Sequence, residues 1–170
     1  IDTAEAIEET YESIGDEDVA VDTTAPIITI TGANPITLER GTSYIEVGAS
    51  ADGGETVTTT GTVDTSTVGT YKITYSAYDG FNTGTATRTV NVVDTTDPVI
   101  SVTGNNPATV ELGATYNDAG AVAVDFGQSI DVSSSSTLDT SSVGSYKVTY
   151  LATDSSGNTG TATRTVNVVD

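Results

Sequence analysis

The stretch Thr85-Ala86-Thr87-Arg88-Thr89-Val90-Asn91-Val92-Val93-Asp94 returns letter for letter as residues 161–170, and after its first copy the chain restarts with Thr95-Thr96-Asp97-Pro98. The segment beyond it, Pro98-Val99-Ile100-Ser101-Val102-Thr103-Gly104-Asn105-Asn106-Pro107, matches Pro26-Ile27-Ile28-Thr29-Ile30-Thr31-Gly32-Ala33-Asn34-Pro35, which stands behind Asp22-Thr23-Thr24-Ala25. The 170 residues therefore read as two copies of one module, at 22–94 and 95–170, behind an unrelated leader at 1–21. Self-similarity at a fixed period has to be recognised first, because each copy is one folding unit.

Within a copy the apolar residues alternate. Tyr71, Ile73, Tyr75 and Ala77 fall on one side of a strand, as do Tyr146, Val148, Tyr150 and Ala152 in the second copy. Alternation with period two is the mark of a half-buried strand. Val90 and Val92, and Val166 and Val168, face inward on the closing strands. Thr is the commonest residue, and Thr and Val are β-branched strand formers. Shorter strands are expected at Ile27–Ile30, Ile36–Glu39 and Tyr44–Val47, with one or two more in the Thr-rich run from Glu55 to Val63. Turn signals at Asp52-Gly53-Gly54, Asp79-Gly80-Phe81-Asn82 and Asp154 to Asn158 separate the strands. Six or seven short strands per copy, with no helical pattern, predict an all-β fold of two tandem immunoglobulin-like β-sandwich modules. Val68-Gly69-Thr70-Tyr71 and Val143-Gly144-Ser145-Tyr146 have the form of a tyrosine corner.

The frame Asp-Thr-Thr-x-Pro, Gly-x-Asn-Pro, Gly-x-x-Tyr, Val68-Gly69-Thr70-Tyr71-Lys72-Ile73-Thr74-Tyr75 and the repeated closing strand resembles the bacterial immunoglobulin-like repeat family known as the domain of unknown function 5011 type. A pesticidal crystal protein carries such a domain. The frame resembles HYR-like surface repeats more distantly. The resemblance covers 22–170 and not the leader. It implies secreted or surface-attached prokaryotic proteins with spacer, adhesive or scaffold roles, and it does not imply toxicity. The family's Asp-rich segment stands in module 2 as Asn117 to Asp125 and is altered and shortened in module 1, at Glu46 to Asp52.

The charge narrows the choice of partners. There are 24 acidic and five basic residues, for a net charge of −19, with no Cys, His, Met or Trp. Phosphate backbones are repelled by such a surface, so no nucleic acid is expected. Self-repulsion destabilises the compact state unless cations screen it. No apolar run reaches transmembrane length, and the start at Ile1 is read as a processed or trimmed form. The usual nucleophile–base pairs need His or Cys. Lys72 and Lys147 lie on the outward parity of their strands. The chain is therefore read as no enzyme. Zinc and redox metals are not expected, because their usual His and Cys ligands are missing.

Calcium takes six to eight oxygens from carboxylates, carbonyls and water. The module junction concentrates them, so the candidate Ca²⁺ ligands are Asp94 and Asp97, with Asp118, Asp125, Asp154 and Asp79 approaching from loops. The alternative is that Asp94, Asp97, Asp79 and Asp154 are turn formers that accept backbone N–H groups. Arg88 and Arg164 share parity with the core valines, so each is expected to pair with an acidic residue of its own module.

The leader, rich in Ala and Glu, has the composition of a short acidic helix. Ile7, Tyr11 and Ile14 share one face of it, opposite four glutamates. So short a helix is marginal alone. It either frays, docks on its own first module, or packs on a neighbouring subunit, and Asp18 to Asp22 could instead be donated as a strand. Asp170 is the equivalent of Asp94, where a further module would begin. Two accounts fit: a segment of a longer array, or a homo-oligomer joined head to tail into a filament. The leading expectation is an extracellular structural subunit of a surface or matrix fibre, calcium-stabilised and assembled through the leader. The alternative is a stalk or adhesin fragment that binds glycan or protein.

Overall fold

A computed structural model describes residues 21–170, and these are all-β. The assembly residues Ile7, Tyr11 and Ile14 lie outside the described residues, as does most of the leader. Six strands occupy the first copy: β1 (Ile28–Ile30), β2 (Ile36–Glu39), β3 (Ala49–Ala51), β4 (Thr58–Thr60), β5 (Gly69–Tyr78) and β6 (Thr83–Val93). Seven occupy the second: β7 (Val99–Val102), β8 (Ala108–Glu111), β9 (Ala121–Asp125), β10 (Gln128–Ile130), β11 (Val132–Ser136), β12 (Gly144–Thr153) and β13 (Thr159–Val169).

The sheets run β2-β6-β5-β4 and β1-β3 in the first copy, and β11-β12-β13-β8 and β10-β9-β7 in the second. In both copies the closing strand pairs in parallel with the second strand, Ile36 opposite Val90 and Ala108 opposite Val166. The described residues divide into two compact units. One holds 21–31, Val47–Thr60 and Thr74–Thr87; the other holds Gly32–Glu46, Gly61–Ile73 and Arg88–Asp170.

The long strands bury the residues that alternation selects. Ile73, Tyr75, Ala77, Val90 and Val92 are buried in the first copy. In the second, Val148, Tyr150, Val166 and Val168 pack with Ala108 and Val110, flanked by Ile100, Val102 and Leu138. Lys72 and Lys147 stand exposed between them. The tyrosine corners close as expected: the Tyr71 hydroxyl donates to Thr67 O at 2.8 Å and that of Tyr146 to Ser142 O at 3.0 Å. Each ties the start of a long strand back to its preceding loop.

One close approach fixes a glycine in each copy. A Cβ on Gly84 would lie 1.9 Å from Pro26 O, and one on Gly160 would lie 2.0 Å from Pro98 O. The opening segment of each copy thus crosses its closing strand at a point where only hydrogen fits.

The strand expected at Tyr44–Val47 lies elsewhere: the strand that pairs with β1 is Ala49–Ala51. Both stretches alternate, so periodicity did not separate them. Pairing starts only where Thr31 N donates to Gly48 O at 3.0 Å. The earlier stretch serves the buried Arg88, whose Nε lies 3.3 Å from Glu46 Oε2.

Candidate metal centre

Three segments of the second compact unit end near one another: the end of β6 at Asp94, the end of β9 at Asp125, and the β12–β13 hairpin at Asp154. One carboxylate oxygen from each of Asp94, Asp125 and Asp154 lies within 4.8 Å of the others. Oxygens at 2.3–2.6 Å from a common ion stand up to about 5 Å apart, so the spacing suits Ca²⁺.

Local hydrogen bonds orient two of the three. Asp154 Oδ1 accepts the backbone N–H groups of Ser156 at 2.8 Å and Asn158 at 2.9 Å, and its Oδ2 accepts from the Asn158 amide at 2.8 Å. That amide also reaches the Asp94 carbonyl at 3.1 Å. Asp94 Oδ1 accepts Thr96 N at 3.2 Å, while Oδ2 lies 3.7 Å from Arg40 Nη1. Burial pushes the Asp154 carboxyl up, but the hydrogen bonds from Asn158 and Ser156 outweigh it and hold the group below the usual carboxylate range.

Asp125 differs from both. It is only 7% exposed, and its carboxylate accepts no hydrogen bond and joins no ion pair among the described residues. Burial raises its pKa, the neighbouring charges of Asp94 and Asp154 raise it further, and the Arg40 guanidinium offsets part of that rise. A mostly buried carboxylate that accepts no hydrogen bond is costly. A divalent cation is the simplest group that would satisfy all three at once, with carbonyls and water completing its shell.

The remaining candidates are not brought to this point. Asp118 serves the interior of module 2 instead: its Oδ1 lies 2.6 Å from Arg164 Nη1, and it accepts the Tyr150 hydroxyl at 2.8 Å. Burial of Tyr150, then that bond to Asp118, push the phenol up to about 12. Arg164 is almost fully buried and also meets the Tyr116 hydroxyl, Thr103 O and Gly120 O. The expected pairing of each inward Arg with an acid of its own module is therefore present, Arg88 with Glu46 and Arg164 with Asp118.

Asp97 is exposed and accepts Thr159 N at 3.2 Å, a tie between linker and hairpin. Asp79 caps its own hairpin, accepting Phe81 N and Asn82 N at 2.7 Å each, and those bonds hold it below the usual range. In module 1 it lines an acidic pocket of about 280 Å³ with Asp22, Asp52 and Glu55. Asp170 is exposed just beyond β13. Sequence reasoning missed Arg40 and Phe126, whose guanidinium carbon and ring centre lie 4.8 Å apart beside the cluster. The readable signal was that Arg40 stands where the second copy has Leu112.

The profile of the family described as bacterial surface protein, Ig-like domain matches residues 28–92 and again 100–168. The chain belongs to this family. Its members are surface modules, typically non-catalytic. Hyalin of Lytechinus variegatus is 37% identical over 176 residues, covering 89% of this chain and 32% of hyalin. Hyalin of Strongylocentrotus purpuratus is 36% identical over 156 residues, covering 82% and 13%. These meet the more distant HYR-type resemblance. An uncharacterised 81.3 kDa protein of Acholeplasma phage L2 is 36% identical over 120 residues, covering 64% and 16%. The chain thus spans a third or less of the length of these relatives. Among solved structures, a lipoprotein of Bacteroides thetaiotaomicron is similar at 20% identity and a TM-score of 0.38, covering 84% of this chain and 80% of that one. The first two extracellular repeats of human protocadherin-24 are similar at 16% identity and a TM-score of 0.34, covering 86% and 99%. Among the described residues no helix is long and apolar enough to cross a membrane.

Proposed function

We propose that this chain is a non-enzymatic extracellular structural protein, a subunit of a prokaryotic surface or matrix fibre built from tandem Ig-like modules. Ca²⁺ held by Asp94, Asp125 and Asp154 stabilises it. Identical subunits join head to tail, with the N-terminal segment and its Ile7, Tyr11 and Ile14 as the contact. The observation that carries the cation is the buried, unpartnered carboxylate of Asp125 facing two further carboxylates. Membership of a surface family supports the location.

A second reading, a stalk or adhesin that binds glycan or protein, draws on a different feature. Val99, Val122 and Val124 share the outer face of the β7–β9 pair, 66%, 58% and 43% exposed. Exposed apolar patches of this kind mark interaction surfaces when they are contiguous.

Light scattering during a Ca²⁺ titration, with thermal melting on the same samples, separates these readings. Growth in mass with calcium is the result expected of a fibre subunit, and it should vanish when residues 1–18 are deleted. A constant mass with a raised melting temperature leaves the cation and removes the fibre. No response in either quantity removes the calcium.

A further inference from the structure

The cluster carries three carboxylates, and one basic side chain reaches it. Of the five basic residues, Arg88 and Arg164 are buried with their own acids, and Lys72 and Lys147 point outward from mid-strand. Arg40 is the one placed at Asp94, at 3.7 Å, which is an ion pair too long to be a hydrogen bond. Its donors are spent partly elsewhere: Nε donates to Ser66 O at 2.8 Å. Its guanidinium lies over the ring of Phe126, 4.8 Å from the centroid. Stacking of this kind holds an arginine without committing its charge to one acceptor.

Phe126 follows Asp125 directly and sits at φ +43 in the tight β9–β10 turn, with Gly127 beside it at φ +75. Glycine, Asn or Asp ordinarily take the first central position of such a turn. A bulky side chain there is strained, and such strain is retained where the surroundings fix it. Here the ring packs beside the Arg40–Gly41 turn, 3.6 Å from the place of a Gly41 Cβ. One hairpin therefore supplies both the unpartnered carboxylate and the shelf for the guanidinium beside it.

We infer that Arg40 is the resident counter-cation of the Asp94–Asp125–Asp154 site, and that a divalent cation binds by displacing its guanidinium from Asp94 along the face of Phe126. This rests on the cation reading of the site. A divalent ion bound to Asp94 would sit within about 4–6 Å of the guanidinium, where like charges oppose each other strongly. Arg40 retains Ser66 O and the Phe126 ring as partners on leaving, so its departure strands no buried charge. The exchange makes the site a threshold device: Arg40 moderates the mutual repulsion of the carboxylates at low calcium and lowers the affinity for calcium.

Two measurements on the full chain test this: isothermal titration with CaCl₂, and the Nε–Hε NMR signal of Arg40 followed through the same titration. Arg40→Gln should bind Ca²⁺ about 5- to 10-fold more tightly than wild type, Arg40→Lys should stay near wild type, and the Arg40 signal should move in step with loading. Binding by Arg40→Gln where wild type shows none also supports the exchange. Equal affinities with an unmoved Arg40 signal overturn the exchange and leave the cation site standing. Weaker binding by Arg40→Gln, with its melting temperature unchanged, overturns it in favour of a positioning role. No binding by either protein removes the site and the exchange together.

Discussion

The two copies share a frame and differ at one corner. In each, an Asp stands at the entry to the module, a hairpin Asp caps its own turn, and a hairpin Asn ties that turn to the entry Asp: Asp22, Asp79 and Asn82 in one, Asp94, Asp154 and Asn158 in the other. The third carboxylate departs from this symmetry. Asp52 lies in a turn immediately after the short β3, and its Oδ1 accepts Ile27 N at 2.8 Å and Gly53 N at 3.1 Å. Asp125 ends the longer β9, is buried, and accepts no hydrogen bond among the described residues. One carboxylate is a finished turn former; the other is buried beside two further carboxylates. A shift of one residue along a strand end, relative to β1 and β7 pairing, suffices to make the difference.

The shared frame can be broken first. Gly160→Ala forces a methyl against Pro98 O, and Gly84→Ala does the same at Pro26 O. Each should cost about 3 kcal/mol in chemical denaturation. A large loss from one and none from the other would show that the frames are not equivalent. The differing corner is the next test. Burial and its neighbours' charges raise the Asp125 pKa, so its ionised form opposes folding at neutral pH. Asp125→Asn should therefore raise stability by about 1 kcal/mol without calcium and abolish any calcium response. Asp52→Ala should lower stability by about 1 kcal/mol, because it strips two backbone N–H groups of their acceptor. Melting curves with and without CaCl₂ check both signs.

The smallest effect concerns Asp64 and Asp139, which occupy equivalent turns before the long strands. Hydrogen bonds from the Ser66 hydroxyl and backbone hold Asp64 below the usual range, and those from Ser141 hold Asp139 there. A depressed folded pKa stabilises above the unfolded value and is lost as pH falls through the folded one. Melting temperature should accordingly be flat above about pH 5 and fall below about pH 4 on their account. Asp64→Asn and Asp139→Asn should flatten that fall by similar small amounts. A response from one alone would separate turns that look alike.

Much of the fold was legible because the informative residues are neighbours in sequence. Tyr71 to Ala77 and Val90 with Val92 announce their buried face by alternation, and the inward parity of Arg88 and Arg164 required acidic partners. The position of β3 was not legible, because Tyr44–Val47 and Ala49–Ala51 alternate equally well and only long-range pairing chooses between them. The site was half legible. Composition pointed to aspartates near the linker, but which of them meet depends on where β6, β9 and the β12–β13 hairpin end in space. Asp118 reads like Asp125 in sequence, yet the buried Arg164 claims it. Arg40 carried its signal only as a mismatch with Leu112.

The parallel pairing of β8 with β13 bears on mechanics. Pro98, at the entry to module 2, lies against Gly160 at the start of β13, and the chain leaves the module from the far end of that strand. Tension between those two points runs along β13 and would drag it lengthwise past residues 108–111, which lie opposite Val166 to Val169. The rungs between the two strands would be strained together and yield together. An antiparallel closing pair pulled from one end would peel open rung by rung under far less force. The same parallel pairing recurs at β2 and β6, so the first copy would meet tension along its closing strand in the same way.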